Sequence, residues 1–240
     1  MTAPKPFQLI GPVSRDRHVY VDRPEDDRLL HILLDGHHCH LHAGRQAGKT
    51  SLLNDCRRTL IRQGHFCIRE ALYTHLSDHQ SSLFDALHAL GCSLMREAST
   101  ALQVSMSNPP GSGLTVGRVI PAFLDAIAAA GPADRRLFIF LDEFDSLMNF
   151  APSDVRQVLL HLRERCQTSP HTTANTLLFA SVRTFSQMLR KTDTSGITPN
   201  FAVDVPLDLF ANSEHTRRQL FEQGFPEDQP ELIDALLSDV

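Results

Sequence analysis

The chain has 240 residues, of which 42% are hydrophobic, and a formal net charge of −5 at pH 7. A chain of this length and composition can bury the core of one large domain. Its acidic balance disfavours nucleic acid as a partner, without excluding a local basic patch. No apolar run approaches the roughly 18 residues that a membrane span requires. The N-terminus lacks the pattern of a signal peptide, so we expect a cytoplasmic protein with no membrane partner.

Five cysteines are widely spaced and include no CxxC pair; they are Cys39, Cys56, Cys67, Cys92 and Cys166. Disulfide scaffolds and zinc ribbons require closer clusters, so this spacing predicts reduced and mostly buried thiols. Nearly all the basic residues are arginines. Lys49 is one of three lysines, with Lys5 and Lys191, so its position in the chain is informative.

Four early prolines predict an irregular lead-in over residues 1–24. Beyond it, hydrophobic periodicity predicts helices over 26–34, 48–63, 80–98, 116–130, 213–223 and 229–238, and a further helix capped by Ser153. Strands are predicted over 38–42, 66–73, 137–143, 176–183 and 200–207, and a loop over 103–115. Strands that alternate with helices in this way imply a parallel sheet covered on both faces.

A glycine-bearing loop lies between the first predicted strand and a helix, with the sequence Ala43-Gly44-Arg45-Gln46-Ala47-Gly48-Lys49-Thr50. Phosphate binding needs backbone N–H groups turned toward an anion, and such a loop before a helix N-terminus provides them. We therefore expect residues from Gly44 to Ser51 to bind a nucleotide, with Lys49 on the β- and γ-phosphates and the Thr50 hydroxyl on Mg²⁺. Ala43 stands where the GxxxxGK[ST] pattern has its first glycine, and Gly44 could supply the flexibility instead. The alternative is an ordinary tight turn before a helix.

Two acids follow the apolar run Leu137–Leu141, which suits a strand buried on both faces. Open α/β sheets bind ligands at the carboxyl ends of their strands. Asp142 is therefore expected to hold Mg²⁺, and Glu143 to orient or deprotonate the attacking water. Asp145 is expected to support the following loop. Acids also end many strands that have no such role, so this motif depends on its pairing with the phosphate loop.

The segment Ala180-Ser181-Val182-Arg183 ends the predicted strand that follows the Asp142 strand. A polar cluster there would lie beside the γ-phosphate, where Arg183 could sense it or stabilise developing charge. The alternative is an arginine that leaves the sheet for solvent. The guanine-reading motif NKxD does not occur in the sequence, so adenine is the favoured base.

Four segments together resemble the bacterial AAA-like, STAND-type ATPases, which are signal-transduction NTPases: YVDRPEDDRLL (20–30), AGRQAGKTSLL (43–53), LFIFLDEFDSL (137–147) and SGITPNFAVDVPLDLF (195–210). The resemblance implies a three-layer α/β P-loop NTPase of the ASCE type, with a parallel sheet of strand order 5-1-4-3-2. It also places Val21, Asp22 and Arg23 beside the adenine, and makes Arg183 the arginine that closes the sensor strand.

The same resemblance divides the chain into a lead-in and adenine-side segment (1–24), a P-loop ATPase core (25–210) and a partial helical lid (211–240). The glycine–proline lid motif expected after the helical segment does not occur within residues 211–240. We therefore expect further domains beyond Val240 or protein partners, and the resemblance leaves room for a homo-oligomer. The favoured function is a signalling switch that binds ATP with Mg²⁺ and hydrolyses it slowly. Two alternatives are a DNA-associated AAA+ ATPase of the origin-binding or transposition-helper kind, and a scaffold that holds nucleotide without turnover.

Three further clusters have a structural and a functional interpretation. His38, His40 and His42 share one face of a strand and could bind Zn²⁺, although packed or edge-exposed histidines are the favoured interpretation. Arg163 and Arg165 could reach a neighbouring subunit, but a solvated helix face is favoured. The basic stripe of Arg57, Arg58 and Arg62 is likewise expected to be solvated rather than to bind nucleic acid.

Overall fold

The computed structural model of the protein describes residues 11–76, 82–106, 109–111, 113–131, 136–168, 175–192, 201–207, 214–223 and 231. The strands are β1 (Cys39–His42), β2 (Phe66–Ala71), β3 (Leu137–Asp142), β4 (Asn175–Ser181) and β5 (Val203–Pro206). The helices are α1 (Pro24–Leu34), α2 (Lys49–Arg62), α3 (Leu72–Leu76), α4 (Leu83–Leu102), α5 (Val119–Ala130), α6 (Pro152–Thr168), α7 (Phe185–Lys191) and α8 (Glu214–Glu222). Two 3₁₀ segments cover Val116–Arg118 and Phe144–Asn149.

The strands form one parallel sheet in the order β2-β3-β4-β1-β5. Read from the other edge, this is the predicted order 5-1-4-3-2, so the predicted fold class is confirmed. β1 lies between β4 and β5, and β3 lies between β2 and β4. The carboxyl ends of β1, β3 and β4 therefore meet at one edge of the sheet, and all three predicted polar motifs begin there.

Alternating side chains of β3 pack into two hydrophobic cores, one on each face of the sheet. Leu137, Ile139 and Leu141 belong to the core that also contains the apolar faces of α4, α5 and α6. Phe138 and Phe140 belong to the core under α1 and α2. A strand buried on both faces needs an uninterrupted apolar run, which explains the composition of β3 and gives the domain its three layers.

Several predicted boundaries were wrong. β2 ends at Ala71, and the short helix α3 takes the positions of Leu72 and Tyr73. Ser153 does not cap α6, because that helix begins at Pro152, where a fixed φ and a missing N–H suit the first turn. Of the two predicted C-terminal helices, the first is α8, and the second lies almost entirely outside the described residues.

Arg165 is not solvated as expected. It is 7% exposed, and its Nε lies 2.8 Å from Asp125 Oδ1 on α5, so it fastens α6 to α5. All five cysteines are free thiols, and only Cys92 is not fully buried. None of the helices within the described ranges is long and apolar enough to cross a membrane.

Candidate nucleotide-binding site

The loop between β1 and α2 and the first turn of that helix contain a row of backbone N–H groups. β1 ends at His42, and the Ala43 N–H continues the ladder by donating to the Ser181 carbonyl at 3.3 Å. Gln46 and Gly48 then take left-handed φ angles of 62° and 84° and turn the chain into α2. Within the described part of the chain, the amides from Gly44 to Ser51 donate to no acceptor. A run of unpartnered amides at the positive end of a helix dipole is an anion-binding arrangement.

Ala43 fits its position without strain. It is not among the residues with positive φ, so the backbone there needs no glycine. Gly44 does not supply a special conformation either, because a Cβ at that position would meet nothing within 4 Å. The position that requires glycine is Gly48, because its φ of 84° is left-handed. A Cβ there would also lie 2.8 Å from Arg23 Nη2. The departure from the usual glycine pattern therefore leaves the turn intact.

The Lys49 ammonium lies inside this loop. Its Nζ donates to the Ala43 carbonyl at 2.9 Å and to the Gly44 carbonyl at 2.7 Å. Burial lowers the pKa of Lys49, while the nearby carboxylates of Asp142, Asp145 and Glu143 act in the opposite direction. Among the described residues, this partly desolvated cation has only carbonyl oxygens as hydrogen-bond partners. Such a cation would gain from an anionic ligand.

Asp142 ends β3 and is 3% exposed. Its Oδ1 accepts the Glu143 N–H at 2.8 Å, and its Oδ2 lies 2.5 Å from Arg69 Nη2. Arg69 comes from the neighbouring strand β2, and its Nη1 donates to Asn54 Oδ1 on α2 at 2.8 Å. Asp142 is therefore held by an arginine on β2 that is itself tied to the helix behind the phosphate loop.

Glu143 is the first residue after β3 and has a left-handed φ of 53°. Left-handed backbone is uncommon for residues other than glycine, and such outliers cluster at functional sites. Burial, followed by the charges of Asp142 and Asp145, raises the pKa of Glu143. The Asp145 carboxylate accepts the Val182 N–H at 3.2 Å, which joins the turn after β3 to the turn after β4.

Arg183 lies in the turn after β4, two residues past Ser181 at the strand end. Its guanidinium forms no hydrogen bond or ion pair with any residue that the structure describes. The backbone of this turn is fixed by a hydrogen bond that Ser181 Oγ donates to the Arg183 carbonyl. His40 Nε2 lies 2.8 Å from Ser181 Oγ, and His40 Nδ1 lies 2.8 Å from Asp204 Oδ1 on β5. Side chains from three adjacent strands thus fix the backbone that carries Arg183.

The described lead-in, residues 11–23, runs alongside the phosphate loop. The Val13 N–H donates to Ser51 Oγ at 2.8 Å, and Arg23 Nη1 donates to the Ala47 carbonyl at 2.8 Å. Arg58 and Arg62 of α2 both form ion pairs with Asp16, at 3.4 and 3.0 Å. Both arginines are solvent-accessible as expected, with side chains 31% and 66% exposed, and their surface ion pairs also connect the lead-in to α2.

The oxygen donors at this edge suit Mg²⁺. The Thr50 hydroxyl has no hydrogen-bond partner within the described ranges, and Asp142 supplies a carboxylate, which is the donor chemistry that Mg²⁺ prefers. Two of the three clustered histidines form hydrogen bonds within the sheet: His38 Nδ1 accepts the Leu177 N–H at 3.0 Å, and His40 joins Ser181 to Asp204. Over the described residues, no group of three or more His, Cys, Asp or Glu side chains is arranged to hold a metal ion.

The predicted site residues therefore converge from three strand ends, one helix and the lead-in. Sequence reasoning missed Arg69 on β2 and Asn54 on α2. It named His40 as a packed or zinc-binding histidine, but not as the contact between Ser181 and Asp204. An arginine inside a predicted strand was the one available signal, because a charge in a strand next to β3 requires a buried partner.

No protein-family model and no curated protein matches this sequence. Among solved structures, a Walker-type ATPase of Pyrococcus abyssi is similar over 95% of this chain, with a TM-score of 0.60 and 16% identity, and this chain spans 65% of its length. The ORC2 protein of Aeropyrum pernix has a TM-score of 0.49 at 16% identity, over 85% of this chain and 53% of its own. The AMPPCP-bound DnaA of Aquifex aeolicus has 0.45 at 15%, over 90% of this chain and 54% of its own. At 16% identity, the similarity to the Pyrococcus abyssi protein establishes the fold alone, a three-layer α/β fold with a parallel sheet.

Proposed function

We propose that this chain binds ATP with Mg²⁺ and hydrolyses it slowly, as the nucleotide-dependent switch of an AAA-like, STAND-type ATPase. The observation that carries the proposal is the row of unpartnered amides from Gly44 to Ser51 around the Lys49 ammonium. A triphosphate would satisfy these donors and replace two neutral carbonyls as the partners of Lys49. Charge-assisted hydrogen bonds of this kind are roughly twice as strong as neutral ones.

The roles of the other residues follow from their places around this loop. Thr50 and Asp142 would hold Mg²⁺, which would neutralise charge on the β- and γ-phosphates when bound. Glu143, the exposed carboxylate next to Asp142, would orient the attacking water and accept its proton. The raised pKa of Glu143 suits a proton acceptor, because a more basic carboxylate accepts a proton more readily.

Arg183 and the lead-in would complete the site. The Arg183 guanidinium is without a partner in the described part of the chain and could pair with the γ-phosphate. Val21, Asp22 and Arg23 would lie beside the adenine, since Arg23 already contacts the phosphate loop at Ala47. The helix α8 would be the start of the lid.

The proposal is tested by ATP titration calorimetry on the wild-type chain and on Lys49→Ala. Loss of the ammonium should weaken ATP binding by about 1.5–3 kcal/mol, or roughly 10- to 150-fold. Lys191→Ala is the matched control, because Lys191 is an exposed lysine at the end of α7 and should bind ATP normally. Unchanged affinity in a folded Lys49→Ala protein would remove the phosphate-loop assignment.

Two further measurements separate the switch from its alternatives. Phosphate release in a single turnover distinguishes an ATPase from a scaffold that holds nucleotide without hydrolysis. Addition of duplex DNA distinguishes a DNA-associated ATPase, whose turnover it should stimulate. The ion pairs of Arg58 and Arg62 with Asp16 reduce the net positive charge that α2 could offer to DNA.

A further inference from the structure

Two glutamines of the lid helix hold the backbone of the lead-in. Tyr20 N–H donates to Gln223 Oε1 at 2.8 Å, and Gln223 Nε2 donates back to the Tyr20 carbonyl at 2.6 Å. Asp22 N–H donates to Gln219 Oε1 at 2.6 Å, and Gln219 Nε2 donates to the Asp22 carbonyl at 3.3 Å. Each primary amide thus exchanges a pair of hydrogen bonds with one residue's peptide groups, as a neighbouring strand would. We refer to these two residues as the glutamine clamp.

The spacing of the clamp matches the lead-in. Gln219 and Gln223 are four residues apart, so they lie one above the other on one side of α8, about 6 Å apart along the axis. Tyr20 and Asp22 are two residues apart, which in extended chain spans roughly 6.6 Å. Two glutamines one helical turn apart can therefore form hydrogen bonds with every second residue of an extended segment. Reversing either side-chain amide would set donor against donor and acceptor against acceptor, so all four bonds require this orientation.

The clamp leaves the residue between its two contacts open. In extended backbone, the N–H and C=O groups of successive residues point to opposite sides. Since Tyr20 and Asp22 present theirs to α8, Val21 presents its own away from α8. Within the described residues, neither the N–H nor the C=O of Val21 has a hydrogen-bond partner. Two residues further on, Arg23 contacts the phosphate loop, so this open peptide edge adjoins the proposed phosphate site.

We propose that Gln219 and Gln223 are positioning residues for the nucleotide base: they set the lead-in so that the Val21 N–H and C=O are presented to the edge of an adenine. A donor next to an acceptor matches the N1 and N6 groups of that edge. The proposal rests on the proposed ATP-binding function and adds to it a route by which the lid helix controls affinity for the base. It separates base recognition, which depends on α8, from phosphate recognition, which depends on Lys49.

The test compares ATP with inorganic tripolyphosphate, which has the phosphates but no base. The double variant Gln219→Ala/Gln223→Ala should bind ATP about tenfold more weakly, since it loses four hydrogen bonds that order the base site, and should bind tripolyphosphate as well as the wild type does. Lys49→Ala should lose affinity for both ligands. Arg218→Ala is the matched control on α8 and should bind both ligands normally, because Arg218 is exposed and its ion-pair partner among the described residues is Glu222 of the same helix.

Amide exchange measured by NMR tests the geometry residue by residue. In the wild-type chain, the Tyr20 and Asp22 amides should be protected without ligand and should lose that protection in the double variant. The Val21 amide should become protected when ATP is added, but not when tripolyphosphate is added. This pattern would not arise from a general loosening of the domain.

The outcomes are distinguishable. If the double variant binds ATP as tightly as the wild type, or loses affinity equally for ATP and tripolyphosphate, the clamp does not position a base. If ATP binds but leaves the Val21 amide unprotected, the base lies elsewhere and the proposal is overturned, while the ATP-binding function stands. If the wild-type chain binds tripolyphosphate and not ATP, or neither, the proposed function and the clamp proposal both fail.

Discussion

The ion pair between Arg69 and Asp142 gives a prediction that links stability to magnesium. The Asp142 side chain is 4% exposed and that of Arg69 is 21% exposed, and their closest atoms lie 2.5 Å apart. Arg69→Met keeps most of the apolar stem but removes the charge that faces Asp142 and the donor to Asn54. The carboxylate is left in the protein interior with the Glu143 N–H as its remaining hydrogen bond among the described residues.

The size of the effect follows from the burial of the pair. Breaking a fully buried ion pair by removing one partner costs about 3–5 kcal/mol. Water reaches Arg69 and can partly solvate the site after the substitution, so we expect a loss of about 2–3 kcal/mol in the free energy of unfolding without ligand. Mg²⁺ bound with ATP would return a counter-charge to Asp142. The loss should then shrink to about 1 kcal/mol, and by linkage the folded variant should bind Mg·ATP roughly 5- to 30-fold more tightly than the wild type does.

The assay is urea unfolding of wild type and Arg69→Met, each with and without saturating Mg·ATP. Arg96→Met is the matched control, because Arg96 is an exposed arginine on α4 that contacts Ser93 Oγ, and it should change the free energy of unfolding by less than about 0.5 kcal/mol. An equal loss for Arg69→Met in both conditions would show that the pair is purely structural and that Asp142 does not face the metal. No loss in either condition would refute the reasoning about burial.

Two further substitutions address the proposed chemistry. Glu143→Gln should retain ATP binding and lose turnover by about 10²–10⁴-fold, because an amide cannot accept the proton of water; single-turnover phosphate release at the wild-type rate would place the base elsewhere. Arg183→Ala should lose more affinity for ATP than for ADP if its guanidinium pairs with the γ-phosphate. Equal losses in parallel titrations would return Arg183 to the solvent-exposed interpretation, and the exposed Arg190 of α7 supplies the control as Arg190→Ala.

The strands of the sheet were predictable because the hydrophobic pattern of each segment indicates its own burial. The run from Leu137 to Leu141 is apolar at every position, so it had to be buried on both faces, and the strand order followed from the resemblance. The turn from β1 into α2 was predictable for a similar reason, since Gly44, Gly48 and Lys49 lie in one short segment, while its binding of phosphate stays a prediction. Local sequence signals suffice where one segment determines both its own conformation and its own chemistry.

The supporting contacts were not predictable, because they join residues far apart in the chain. Arg69 and Asp142 are 73 positions apart, and Tyr20 and Gln223 are 203 apart. Helix α7 was missed although Thr184 and Gln187 form its capping box, a signal that was present in the sequence. The start of α6 was predicted too late in the chain. Ser153 was taken as its N-cap, but the helix already begins at Pro152, a residue that suits the first turn.

The lead-in connects the two ends of the proposed switch. Toward α2 it is fastened by Val13 to Ser51 and by Asp16 to Arg58 and Arg62, and toward α8 by the glutamine clamp. A nucleotide between the phosphate loop and the lead-in would therefore touch a segment that is bonded to both helices. A switch requires contacts that differ between its nucleotide states. If Arg183 pairs with the γ-phosphate and the clamp orders the base site, loss of the γ-phosphate would release the turn after β4 but leave α8 bound to the lead-in. The difference between ATP and ADP would then arise at the turn after β4 rather than at α8, the proposed start of the lid.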